Sequence, residues 1–406
     1  MKPLIIGVTS ATPQERGARI TYSKYLAALE NYYSKALPLA SSFEEIEKLS
    51  NDLKQSPITF VVVCTGGTSD FVVKIAEYTI PILLSHSEQN SLASALNAAQ
   101  FLARQGKYVK IIHELREDTI KEIALFSKIN TVLWELRRKK IVLFGADRNW
   151  AESRYNLEFL KKLGLSFEFI GLDKVINDFN AAEEDTELIA KFQNMKSVEP
   201  KEKDIRNASK VYTLLRKYLT DSVAFGFRCF PFLVKTKVTP CLALSHALDK
   251  NITATCEADI SAMIMMEISR ILTGKPGFVV NLEDVHENVI TVAHCTIATS
   301  LTRTCILRNH FETGYSVSIA GIVSEGTPVT VACFSPDFKH MFVSTGKIIR
   351  GSPFSEEMCR TQLKIRLNKD PKIIIEKFIN RHLIVIFDVI EKELITLAKI
   401  LNIKVL

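Results

Sequence analysis

Residues 80–113 read IPILLSHSEQNSLASALNAAQFLARQGKYVKIIH, and this stretch decides the fold class. Ile80–Leu84 is an apolar run of strand length, too short for a buried helix. From Ser91 to Arg104 the period changes, and Leu92, Ala95, Leu96, Ala99 and Leu102 fall on one helical face. Gly106 supplies a helix stop, and Val109–His113 is a second apolar run. Strand, helix and strand within ~30 residues make a βαβ unit. Two further strand candidates precede it, Leu4–Thr9 and Phe60–Cys64. The first third therefore predicts a parallel sheet covered by helices.

The same alternation continues downstream. A long helix, Glu117–Arg138, leads to the strand Ile141–Gly145, a helix around Ala151–Leu163 and the strand Phe167–Leu172. The charged segment Ser197–Asp204 contains Pro200 and reads as a surface connection. A helix over about Ile205–Leu219, a strand at Val223–Phe227 and the segment Pro240–Asp249 follow. Beyond Phe278 the period becomes two: Thr361, Leu363, Ile365 and Leu367 alternate with Gln362, Lys364 and Arg366. Val317–Val323 and Val329–Cys333 flank Ser324–Thr327, a hairpin signal. The strand His382–Phe387 and a helix near Glu391–Leu401 close the chain. The expected class is α/β: two doubly wound Rossmann-like domains, residues 1–138 and 139–278, then a mainly β domain, residues 279–406.

Composition narrows the function classes. The chain has 406 residues, 47% hydrophobic and 24% charged, enough for large cores and more than one domain. The net charge of +7 is diffuse. Its densest cluster, Arg137–Lys140, sits where cations complement a helix C-terminus, so no nucleic-acid partner is expected. No apolar stretch reaches the ~20 residues that cross a bilayer. Met1-Lys2-Pro3 leads straight into a strand without a signal-peptide core, so a cytoplasmic location and no membrane partner are expected. The eight cysteines form no CxxC pair, and several lie in apolar runs where a free thiol acts as a small hydrophobe.

Several polar residues stand where chemistry is one explanation. Glu257 and Asp259 precede a helix with Ile260, Met263, Ile264, Ile268 and Ile271 on its periodic face, ended by Gly274 and Pro276. Taken alone, they complement the helix dipole. Asp284 follows the strand Phe278–Leu282, and His294 ends the apolar run Val289–Ala293. His382 opens a continuous apolar strand, a costly place for an unpartnered polar group. Together Glu257, Asp284, His294 and His382 point to a metal site of Glu, Asp and His ligands.

Several strings resemble the L-fucose isomerase family. They are Cys256-Glu257-Ala258-Asp259-Ile260 with Leu272–Pro276, Ala293–Thr296, His310–Gly314, Cys359–Gln362 and Asn380–Val385. Thr65-Gly66-Gly67-Thr68, Asn90–Leu96 and Gly145–Trp150 resemble family segments in the same order, so the likeness spans most of the chain. The resemblance implies a divalent ion, commonly manganese, on Glu257, Asp284 and His382. The acidic spacing (284 − 257 = 27) and the intervening His294 match the arabinose-isomerase branch. Ala258 departs from a common glycine, Thr296–Thr299 match neither well-known branch, and Phe387 precedes Asp388 where relatives often have glycine.

The implied activity is interconversion of an aldose and a ketose through an ene-diolate, with Glu257 and Asp284 also acting as general base and acid. The implied partners are a small-molecule sugar and further copies of the chain, in a homohexamer or trimer with active sites between subunits. Gly66, Gly67 and Thr68 lie between a strand and a helix, where open α/β sheets bind ligands, although a tight turn explains the glycines equally well. Trp150, Arg360 and Gln362 are the expected hydroxyl contacts. An epimerase, an isomerase of an anionic sugar and a non-catalytic sugar-binding protein are the alternatives.

Overall fold

The computed structural model describes residues 1–10, 15–220 and 223–406. The chain divides into two compact units, Met1–Glu135 and Leu136–Leu406. Among the described residues no helix is long and apolar enough to cross a membrane.

The first unit holds β1 (Leu4–Val8), β2 (Lys35–Ala36), β3 (Ile58–Val63), β4 (Ile80–Ser85) and β5 (Lys110–His113). They form a sheet in the order β2-β1-β3-β4-β5, every neighbouring pair parallel. β3 is buried along its whole length, which is why it reads as an unbroken apolar run. The helix Ser91–Arg104 buries Ala95, Ala98 and Leu102 in that core. Its entry passes through two left-handed residues, Gln89 at φ 54° and Asn90 at φ 56°. There the Gln89 carbonyl accepts a hydrogen bond from the Gly66 N–H at 2.7 Å. A Cβ on Gly66 would sit 2.9 Å from the Asn90 Cβ, so close approach of backbones demands this glycine.

The second unit begins with β6 (Lys140–Phe144), β7 (Ser166–Ile170), β8 (Lys196–Ser197), β9 (Val223–Phe227) and β10 (Ala254–Cys256). All but β8 make a parallel sheet in the order β10-β9-β6-β7. The expected helix over Ala151–Leu163 is instead two short ones, Arg148–Glu152 and Leu157–Lys162. Asp147 caps the first by accepting from the Trp150 N–H, and Asn156 caps the second by accepting from Phe159, so the chain restarts there.

The rest of the unit is antiparallel. β11 (Phe278–His286), β12 (Val289–His294), β15 (Pro328–Phe334), β16 (His340–Arg350), β17 (Thr361–Leu367) and β18 (His382–Ile386) form a closed ring. Its order is β15-β18-β11-β12-β17-β16, and β16 pairs back to β15. β13 (Thr304–Arg308) pairs with β14 (Ser318–Ile322) on one side and β8 on the other, while β19 (Lys404–Val405) edges β16. The hairpin expected around Ser324–Thr327 is therefore not one: β14 and β15 belong to different sheets. The backbone groups around the turn bond to the end of β16 and the residue after it instead, Gly326 N–H to the Ile348 carbonyl and Val323 N–H to the Gly351 carbonyl.

The helix Ile260–Thr273 packs against β9 as well as β15 and β18. Coverage on several sides explains why Ile260, Ala262, Met263, Met265 and Met266 are all buried, beyond one amphipathic stripe. The N-terminal end of this helix carries the candidate site.

Candidate metal centre

The chain leaves β10 at Cys256 and turns into the helix through Glu257 at φ 58° and Ala258 at φ 53°. Left-handed backbone costs a non-glycine residue ~1–2 kcal/mol, and it persists where surrounding structure enforces it. Here the Ala258 N–H is drawn to the Phe227 carbonyl at 3.1 Å, and Asp259 caps the helix. Asp259 Oδ1 accepts from the Ala262 N–H at 3.0 Å and from the Ser261 hydroxyl at 2.5 Å. That leaves Oδ2 for the barrel.

β11 lies between β18 and β12, and Asn281 is paired with both His382 and Ala293. This register brings His382, at the start of β18, close to His294, at the end of β12, with ring centroids 5.7 Å apart. Both rings are buried, His294 at 3% exposure and His382 at 0%. His382 Nδ1 hydrogen-bonds Asp259 Oδ2 at 2.8 Å, which turns its Nε2 toward Glu257. Glu257 Oε1 lies 3.7 Å from His382 Nε2 and 4.0 Å from His294 Nε2. Its other oxygen, Oε2, is held by Arg381 Nη1 at 2.7 Å.

The two Nε2 atoms and His294 Nδ1 have no hydrogen-bond partner. Leaving buried polar atoms unpaired costs ~1–3 kcal/mol each, so an arrangement with three of them needs an explanation. A divalent ion gives one, because Glu257, His294 and His382 each present a ligand atom within 4.8 Å of the others. This buried Glu/His/His group can hold a metal ion, and a histidine anchored through Nδ1 to a carboxylate is the usual way to aim Nε2 at one.

The electrostatics are consistent with a site for positive charge. Burial alone would raise Glu257, but the nearby charge of His382, with Arg381 and His294, holds it at about 2. Asp259 is likewise held at about 2, its burial outweighed by His382 and its hydrogen bonds. Burial opposes charge on His382, yet Asp259 and Glu257 raise it to about 9, so near neutrality Nε2 carries a proton that a bound ion would displace. His294 drops to about 3 through burial and the neighbouring His382, so it keeps a free lone pair.

Glu257 opens onto a cavity of about 1100 Å3, whose walls include Trp150, Arg228, Asn281, Glu283 and Phe311. The expected site residues fall in different places. Asp284, expected as the second acidic ligand and proton carrier, lies exposed on β11 and is not part of the Glu/His/His group. β11 does not end near Leu282 but runs to His286, and the register with β12 slips between Leu282 and Asp284. The extra residue at this bulge is Glu283, and its side chain lines the cavity. Glu283 is exposed as Asp284 is, but desolvation beside the cavity and the neighbouring Glu312 raise its carboxyl.

Two expected substrate contacts are used elsewhere. Gln362 is 1% exposed: its Oε1 accepts from Phe354 and Ser355, and its Nε2 donates to the Ser355 and Cys359 carbonyls. Arg360 donates to the Asn309 carbonyl at 2.9 Å and pairs with Glu356 at 3.1 Å. Trp150 does line the cavity, its ring flanked by the guanidinium carbons of Arg154 at 5.0 Å and Arg228 at 5.1 Å. In the first unit, Thr68 is fully buried and donates its N–H to Ser94 Oγ and its hydroxyl to the Thr65 carbonyl. Gly67, at φ 73°, makes the turn there.

Sequence reading named all three residues of the group but missed their supports. The anchoring role of Asp259 has a sequence signal, an acid two residues from Glu257 at a helix start; Arg381, adjacent to His382, has a weaker one. Neither a protein-family model nor a curated protein matches the chain.

Proposed function

We propose that the protein is a divalent-metal-dependent aldose–ketose isomerase. The observation that carries this reading is the pair of open, buried histidine nitrogens facing Glu257 Oε1 beside a cavity large enough for a sugar. The resemblance to the L-fucose isomerase family points the same way and favours Mn2+, with the two parallel sheets as doubly wound Rossmann-like layers and a hexamer or trimer as the assembly.

When bound, a divalent ion supplies charge that polarises a carbonyl and stabilises the negative charge of an ene-diolate. Glu257, His294 and His382 would hold it. The other roles fall to the chain itself. Arg381 restrains Glu257 Oε2, leaving Oε1 directed at the histidines. Glu283 takes the proton-carrier role expected of Asp284: its raised carboxyl accepts and returns a carbon-bound proton more readily near neutrality. Trp150 and Phe311 offer apolar faces to the sugar ring, and Asn281 is placed to meet its hydroxyls.

The test is ketose formation from aldopentoses, 6-deoxyhexoses and anionic sugars by the Mn2+-loaded chain. Glu257→Gln should abolish metal-dependent turnover. Glu283→Gln should lose roughly 100-fold or more in kcat, while Asp284→Asn stays near wild type. The reverse ranking of those two would sink the Glu283 assignment. A second reading, an isomerase of an anionic sugar, is favoured by one feature: Arg154 and Arg228 flank Trp150 and, among the described residues, neither is paired with a carboxylate.

A further inference from the structure

Five of the eight cysteines, Cys229, Cys241, Cys256, Cys295 and Cys359, line one cavity of about 300 Å3 that also borders Glu257 and His294. All are free thiols. They come from separate elements, and burial of small hydrophobes does not require them to share one space. Within this group Cys229 Sγ and Cys256 Sγ lie 3.1 Å apart. Cys256 is 4% exposed and directly precedes Glu257. Cys229 is partly exposed, opens the helix Cys229–Thr236 and also borders the larger cavity, so a small reagent reaches it first.

We propose that Cys229 and Cys256 are a reversible dithiol–disulfide site whose closure weakens ion binding at the neighbouring Glu/His/His group. The co-reactant is a small-molecule disulfide. The Cys229 thiolate attacks one of its sulfurs, that S–S bond breaks, and one small thiolate leaves with the electron pair. The Cys256 thiolate then attacks Cys229 Sγ, forming the protein disulfide and releasing the second small thiolate. The two protons lost by the protein end on the two released thiols; the protein is oxidised by two electrons and the reagent is reduced by two.

Closure must bring the sulfurs from 3.1 Å to about 2.05 Å. Cys256 is bonded directly to the left-handed Glu257, and the turn is tied to β9 by the Ala258–Phe227 hydrogen bond. Drawing Cys256 toward Cys229 therefore shifts a carboxylate whose metal distance tolerates only ~0.2 Å. The effect on the ion rests on the metal reading above, whereas the covalent site does not.

The experiment treats the folded full-length chain with oxidised glutathione, maps disulfides by peptide mass spectrometry, and titrates Mn2+ before and after. A Cys229–Cys256 cross-link is expected, with Mn2+ affinity lowered roughly tenfold or more and restored by dithiothreitol. Cys229→Ser should bind Mn2+ like the reduced chain and lose all sensitivity to the oxidant. No cross-link, or a Cys241–Cys256 cross-link instead, overturns the pair. A correct cross-link with unchanged Mn2+ affinity overturns the coupling. If the reduced chain binds no Mn2+, the metal reading and the coupling both fall, and the cross-link map alone decides the covalent site.

Discussion

The two units each send a parallel strand into a helix through two consecutive left-handed residues, Gln89-Asn90 in the first and Glu257-Ala258 in the second. The backbone device is the same; what it delivers differs. In the first unit it delivers the Gln89 carbonyl to the Gly66 N–H, and Thr65, Thr68 and Ser94 bond one another nearby. Among the described residues, Gln89 Oε1 in that turn is buried without a partner. In the second unit the turn delivers a carboxylate to two histidines whose Nε2 atoms are left open. A strained turn alone therefore does not mark a site. Strain combined with unpaired buried nitrogen does.

The largest expected difference between the turns is in metal affinity. Substituting His294→Ala should weaken Mn2+ binding more than about 100-fold, since a direct ligand outweighs the outer groups that tune it. Thr68→Ala, in the hydrogen-bonded network of the first unit, should leave it unchanged. Calorimetric titration of both variants checks the contrast, and equal affinities would erase it. A smaller effect, roughly 10–100-fold weaker binding, is expected for Asp259→Asn, which keeps the helix cap but weakens the anchor on His382 Nδ1.

Next comes stability. Gly66→Ala pushes a Cβ into Asn90 and should cost ~1–3 kcal/mol, read as a lower urea midpoint with Mn2+ binding intact. The smallest effect separates the turns by residue type. Ala258→Gly relieves a left-handed alanine and should stabilise by ~0.5–1 kcal/mol, whereas Asn90→Gly should gain nothing because asparagine already tolerates that region. Equal responses at the two positions would show that the turn at Glu257 is not strained.

Much of this was legible in the sequence, for stated physical reasons. β17 was visible as Thr361–Leu367 because one face is buried and the period is two. Glu257, His294 and His382 were visible because each interrupts or borders an apolar run where a polar group is costly. The bulge at Glu283 was not, since a one-residue slip changes which side chain faces the cavity without changing composition. Closure of the barrel was equally hidden: β18 inserts between β15 and β11, pairings set by strands distant in sequence. The turn at Ser324–Thr327 looked like a hairpin because local residues report a turn and not which partner each strand takes. The convergence of five cysteines had no local signal at all.

The ring has a consequence for the order of events in the cell. β18, which carries His382, is the last barrel strand to leave the ribosome, and until it inserts, β15 and β11 each keep an unpaired edge. A nascent chain thus owns Glu257 and His294 long before it owns a centre. A chain cut short before His382 would be released with neither the seam nor the third residue of the Glu/His/His group in place.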